Sequence, residues 1–257
     1  MATRSSLRLA HVARAFVLVA LAAVPCAGRA EEAPPTTALD PALAAIMPRL
    51  AQYAEQFEQM KRRGSFTLSG TMDELDGGGQ VSGNKSMVVR VTASPAQRIA
   101  EILKYTEDGV DKTNEERAKA AEKKRTKSSA DKKKEAESLR LPFLAVEQSR
   151  YAFTLLEKDP AAPSHVRVGF VPKVPAETAY KGSAWVDADT GQVLTLGFSP
   201  SKNPRLVDHV DVTVRFELPT ALGKAPSSIQ FEARGSLLFF RKHYKGSATI
   251  SDASIAF

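Results

Sequence analysis

Four features of this 257-residue chain carry residue types that do chemistry in other proteins. Asp189-Thr190-Gly191 matches the triplet of aspartic proteases. Those enzymes need two such aspartates close together, so that one proton is shared between like charges. Here no second copy exists, Asp187 and Ala188 stand where apolar residues should, and Gln192 follows. A hairpin turn accounts for the same residues, with Asp189 expected to bond local backbone donors and Gly191 to supply a positive φ. Read as a calcium loop from Asp187, the stretch needs an oxygen ligand at position five, glycine at six and glutamate at twelve. Gly191, Gln192 and Phe198 occupy those positions, so the loop fails.

Gly78 to Ser86 has the glycines of a phosphate loop. However, Asn84 separates Gly83 from Lys85, and a strand follows where a helix must begin. Three histidines, His165, His209 and His243, lie beyond the leader, none at the helical spacing of a zinc site and with no cysteine to help. No glycine-flanked serine makes a nucleophile elbow. The expectation is a protein that is not an enzyme, with no cofactor and no metal.

The elements behind these residues are clearer. His209 to Leu218 alternates without a break: Val210, Val212, Val214, Phe216 and Leu218 share one face, and polar residues hold the other. A period of two marks a strand with one dry face, and strands of a doubly covered parallel sheet would not show it. Similar segments recur from Ser65 to Tyr105 and from Tyr151 to Ile250, separated by turn residues. The count is nine or ten strands in nearly sequential order. A sheet this wide and twisted tends to curl. Before it, Asp40 caps and Pro41 opens an amphipathic helix, with Leu43, Ile46, Leu50, Tyr53, Phe57 and Met60 on one stripe and Gly64 at its end. The expected fold class is α+β: a strongly curved antiparallel sheet, a half-open barrel, with the amino-terminal helix in its concave side.

Residues 1–30 read as a signal peptide. Arg4, Arg8 and Arg14 precede an apolar run from Ala15 to Val24, too short to span a bilayer, and small residues follow. The expected location is the periplasm or outer envelope of a Gram-negative bacterium. Cys26 could be lipidated only with Pro25 beside the scissile bond, a poor context, and its loss leaves no cysteine for a disulfide. Residues 31–39 form a tether, and 40–257 a single domain. Four arginines leave with the leader, which lowers the formal charge from +7 to +3. Asp111 to Arg140 holds eleven Lys/Arg and seven Asp/Glu, so the surplus sits in one segment. Residues 111–139 read as a charged helical excursion without an apolar stripe. Interleaved acids and the lack of stacking aromatics argue against nucleic acid, and anionic head groups suit the segment better.

Gly182-Ser183-Ala184-Trp185-Val186-Asp187, the turn, and then Val193-Leu194-Thr195-Leu196 resemble the bacterial lipoprotein-sorting carriers and their relatives. The resemblance implies a half-open barrel with a helix in its mouth and a concavity that holds acyl chains. It transfers no catalytic residue. Val210, Val212, Val214 and Phe216 are the candidate ligand-lining residues, set against the simpler reading that they are core under the helix. The functional expectation is binding of a lipid or lipoprotein acyl chain, or contact with a membrane surface. The alternative is an envelope protein-interaction or sensor module with a filled cavity.

Overall fold

In the computed structural model, residues 40–94, 97–126, 140–237 and 240–255 are described. The expected signal peptide, Cys26, the tether and residues 127–139 of the excursion lie outside them. Helix α1 spans Pro41–Arg63 and continues through Pro48. Asp40 accepts a hydrogen bond from the Ala42 amide at 2.8 Å, satisfying an otherwise orphaned donor. A Cβ at Gly64 would lie 2.4 Å from the Met60 carbonyl oxygen, so only glycine permits the sharp exit into the first strand.

Eleven strands then form one antiparallel sheet. They are β1 (Gly64–Leu75), β2 (Val81–Ala93), β3 (Arg98–Glu107), β4 (Val110–Asp111), β5 (Tyr151–Lys158) and β6 (His165–Pro172). β7 (Tyr180–Asp187), β8 (Val193–Pro200), β9 (Val207–Thr220), β10 (Gly223–Leu237) and β11 (Phe240–Ile255) complete it. Among the described residues, two helices, α2 (Thr113–Thr126) and α3 (Ala145–Gln148), lie between β4 and β5. The expected class holds: the sheet is open and carries α1 on its inner face. The count exceeds nine or ten because the two-residue β4 has no periodicity to read.

The spatial order is β4-β3-β2-β1-β11-β10-β9-β8-β7-β6-β5. Two sequential meanders are thus joined where the first strand meets the last, with Gly64 opposite Ile255. β4 and β5 are the two outer strands, so the chain from 112 to 150 must pass from one edge of the half-barrel to the other.

That connecting stretch has two parts of opposite character. α2 packs on β3, where Thr113 Oγ1 accepts from the Tyr105 amide at 2.9 Å. Arg117 Nε donates to the Ile102 carbonyl at 2.7 Å. These contacts occupy edge groups that would otherwise invite another strand. Leu141-Pro142-Phe143-Leu144 then turns inward, with Leu141 and Phe143 fully buried. The apolar face missing from residues 111–139 lies just beyond them.

Candidate functional site

The concave face between α1 and β6–β10 is the place where a ligand cavity was expected. Register puts the four candidates on that face: Val214 lies opposite Ile229, Val212 opposite Phe231 and Val210 opposite Ala233. Val210 and Phe216 are 2% exposed, Val212 6% and Val214 7%. All four belong to the main core cluster, with Leu43, Leu50, Tyr53, Phe143, Val168 and Val186. Phe216 is gripped edge-on by two helix rings, Tyr53 at 6.4 Å and Phe57 at 5.7 Å between centroids. Phe143 stacks on Phe153 at 5.7 Å and meets Phe170 edge-on at 6.0 Å. Aromatic pairs of this geometry add to the stabilisation from buried area.

Polar contacts fix α1 at the turn end of this face. Tyr53 Oη donates to the Lys224 carbonyl at 2.6 Å, and burial pushes its phenol well above the ordinary range. Arg49 donates to the Ala188 carbonyl at 3.0 Å. Gly191, at φ +74°, lies against the Arg49 backbone, where a Cβ would be 2.4 Å from the carbonyl carbon. The triplet at 189–191 is therefore the expected turn, serving as a seat for the helix. One detail differs: Asp187, not Asp189, binds the local donors. Its Oδ1 accepts from the amides of Asp189 at 2.9 Å and Thr190 at 3.3 Å. Asp187 precedes the turn by the two-residue offset of an Asx turn, which was there to be read.

The other wall of the half-barrel is mixed. On the inner face of β11, β1, β2 and β3, Met72, Tyr244, Leu68 and Val89 are buried. Toward the far ends of these strands the same face turns ionic. Glu74 pairs with Lys242, and Lys85 lies 3.2 Å from Glu107. Lys112 hydrogen-bonds Glu107 at 2.7 Å, and this bond holds the Glu107 carboxyl down to about 2, with Lys85 adding to the effect and burial opposing it. Burial pushes the Tyr244 phenol up to about 12, with the Glu74 charge beside it.

The outer face gathers the histidines. Arg234 stands opposite His209 on one side and opposite His243 on the other. His243 Nε2 lies 2.8 Å from Glu232, and His209 Nε2 lies 2.5 Å from Asp211. Burial works to raise the Glu232 carboxyl, but the bonds from Arg234 and His243 and the charge of Lys245 outweigh it and hold it low. Neither histidine is hydrogen-bonded to a hydroxyl among the described residues, so no nucleophile is paired with a base here. His165 is at the start of β6, away from both. No group of three metal-ligating side chains occurs among the described residues.

Two open clefts are polar. One of about 620 Å3 lies between β3 and the start of α2, lined by Leu103, Lys104, Asp111, Lys112 and Thr113 among others. One of about 430 Å3 crosses the outer face of β9, β10, β11 and β1, beside Asp73, Asp211, Gln230, Glu232 and Lys245. Neither touches Val210, Val212, Val214 or Phe216. Among the described residues, no helix is long and apolar enough to cross a membrane.

No family model matches the chain, and comparison with curated proteins finds no match. Solved structures do resemble it. A LolA superfamily protein from Nitrosomonas europaea is 13% identical with a TM-score of 0.40, over 82% of this chain and 94% of that one. A DUF1329 family protein from Desulfovibrio piger is 11% identical with a TM-score of 0.40, over 82% and 93%. A domain described as outer membrane lipoprotein-sorting, from Vibrio parahaemolyticus, is 11% identical with a TM-score of 0.32, over 80% and 92%. These are likenesses in outline only, and no residue role is carried over.

Proposed function

We propose that this chain is a non-catalytic envelope interaction module, in which the half-barrel is a scaffold and its concave side is occupied by its own helix. The observation that carries this reading is the burial of Val210, Val212, Val214 and Phe216 in one core cluster with α1 and Leu141–Leu144, Phe216 lying directly against Tyr53 and Phe57. An acyl site needs an apolar space of a few hundred Å3, and here that space holds Tyr53, Phe57 and Leu50. Recognition then falls to outward surfaces: the polar sheet face around Glu232 and the charged excursion. Export by residues 1–30 would place these surfaces in the periplasm or at the outer envelope.

The experiment is extraction of the gently purified protein followed by lipid mass spectrometry, with titration of a fluorescent fatty acid alongside. The expected result is no co-purifying lipid and no saturable binding. A stoichiometric lipid would overturn the reading.

A second reading has its own support. The plug is made of two separate pieces, α1 and Leu141–Leu144, each joined to the sheet mainly through side chains that an acyl chain could replace. If one piece withdraws, Val210, Val212, Val214 and Phe216 become the lining of a lipid site. Deleting 111–139 separates the two readings: a carrier keeps its ligand, whereas a docking module loses its partner.

A further inference from the structure

The surplus of positive charge, which the sequence places only between 111 and 140, continues in space onto segments far from it. Lys61, Arg62 and Arg63 close α1. Arg98 opens β3, and β3 pairs with the end of β2, which pairs with the start of β1, where α1 leaves off. Lys61, largely buried, pairs with Glu58 at 2.6 Å. Burial lowers the Lys61 ammonium, the nearby Arg98 and Arg140 lower it further, and Glu58 resists. Cations from three separate stretches therefore act on one another at this end, Lys61 paired with Glu58 and Arg140 with Glu147 at 3.3 Å.

α2 adds to the same end. Thr113 touches Tyr105, and Arg117 touches Ile102, so the helix runs antiparallel to β3. Nine more residues at about 1.5 Å each carry it about 13 Å beyond Arg117. The strand covers about the same distance from Ile102 back to Arg98. Lys119, Lys123 and Arg125 are exposed along this path.

We propose that this basic end, formed by the last turns of α1 and α2 with Arg98 and Arg140, docks the protein on an anionic lipid bilayer. Cations at a helix C-terminus complement the helix dipole, which explains Arg62 and Arg63 taken alone. It does not explain Arg98 and Arg140, which come from a strand and a loop and whose charges reach Lys61. Arg62, Arg63 and Arg125 are exposed and make no ion pair among the described residues. The cations are spread over two helices, a strand and a loop, which fits a broad charged plane better than a narrow ligand. The nearest ring, Phe57, is already covered by Lys61 at 5.6 Å and turned against Phe216, so it is not offered to a nucleotide base. Ile99, 43% exposed beside Arg98, offers apolar contact at such a surface. The proposal stands whether or not the interior takes an acyl chain.

The test is co-sedimentation of the purified protein with phosphatidylcholine vesicles, with and without about a third phosphatidylglycerol. Binding is expected only to the anionic vesicles, and it should vanish at about 1 M salt, where the screening length falls to about 3 Å. The triple variant Arg62→Glu, Arg63→Glu and Arg125→Glu should bind at least tenfold more weakly, with an unchanged melting temperature. The control reverses Lys181, Lys202 and Arg205 to Glu, which are exposed at the far ends of β7 and β8. The control should bind as the wild type does. Equal weakening by both triples would overturn the proposal, since net charge alone would then be at work. It would be overturned equally by wild-type protein that ignores anionic vesicles but binds single-stranded RNA through Arg62, Arg63 and Arg125.

Discussion

From β5 to β10, the inner face of the sheet meets α1 and Leu141–Leu144, and its central residues are fully enclosed apolar side chains. From β11 through β1 to β3, the same face begins apolar at Leu68 and Val89, then carries Glu74, Lys85, Glu107 and Lys242 toward the far strand ends. The reach of α1 explains the contrast. The helix touches the β7–β8 turn through Arg49, the β9–β10 hairpin through Tyr53, and the start of β1 through Gly64. It therefore lies across one end of the strands. Where neither it nor the 141–144 segment reaches, the inner face is partly wet, and paired charges are tolerated because water still solvates them. One sheet face can thus be core at one end and surface at the other.

The largest test of this contrast is cavity creation. Phe216→Ala or Phe143→Ala should cost about 3–5 kcal/mol in urea unfolding, because the surrounding core is too rigid to collapse. Met87→Ala, on the mixed wall and only partly buried, should cost less than half of that. Equal costs would erase the distinction between the walls. Next in size, Gly191→Ala must displace the Arg49 backbone and hold alanine at positive φ, so a loss of more than about 1 kcal/mol is expected. Hydrogen exchange should locate the damage in the first half of α1.

Tyr53→Phe removes one donor and leaves the Lys224 carbonyl without its partner, which should cost about 1 kcal/mol in the same denaturation assay. The smallest effect belongs to the ionic end. The Glu107 carboxyl lies below its ordinary value, so the unfolded chain takes up its proton first as pH falls. Its stabilisation is complete above the unfolded value and fades from there down to about pH 2. In thermal melts across that range, Glu107→Gln should give a shallower acid limb than the wild type. An unchanged limb would mean that the Lys85 and Lys112 contacts are fully screened.

Much of the fold was legible because its signals are local. The unbroken alternation of Val210 to Phe216, the stripe from Leu43 to Met60 and the glycines at 64 and 191 each report an element through its own neighbours. The short β4 was not legible, since two residues have no period. The plug at Leu141–Leu144 was missed for a different reason. Four residues carry no pattern, and their burial comes from contacts with residues of β5 and β6 such as Phe153 and Phe170. The site was least legible of all. Alternation shows that four side chains share a dry face, but what dries it depends on contacts between residues more than 150 positions apart, as with Tyr53 and Phe216. The basic end is hidden likewise, because the end of α1 and Arg98 are far apart in sequence and are brought to one end of the sheet only when β1, β2 and β3 pair.

The pairing of β1 with β11 sets the order in which the molecule can be built. Gly64 finds its partner only at Ile255, so the middle of the sheet closes across nearly the whole length of the described chain. The two meanders can form early, from neighbouring hairpins, but their union must wait for the last strand to be available. Contacts of such long sequence separation slow folding and leave strand edges exposed meanwhile. A chain emerging amino terminus first, from a ribosome or through a secretion pore, would hold β1 open until its final segment arrived, and would depend on keeping that edge from strangers in the interval.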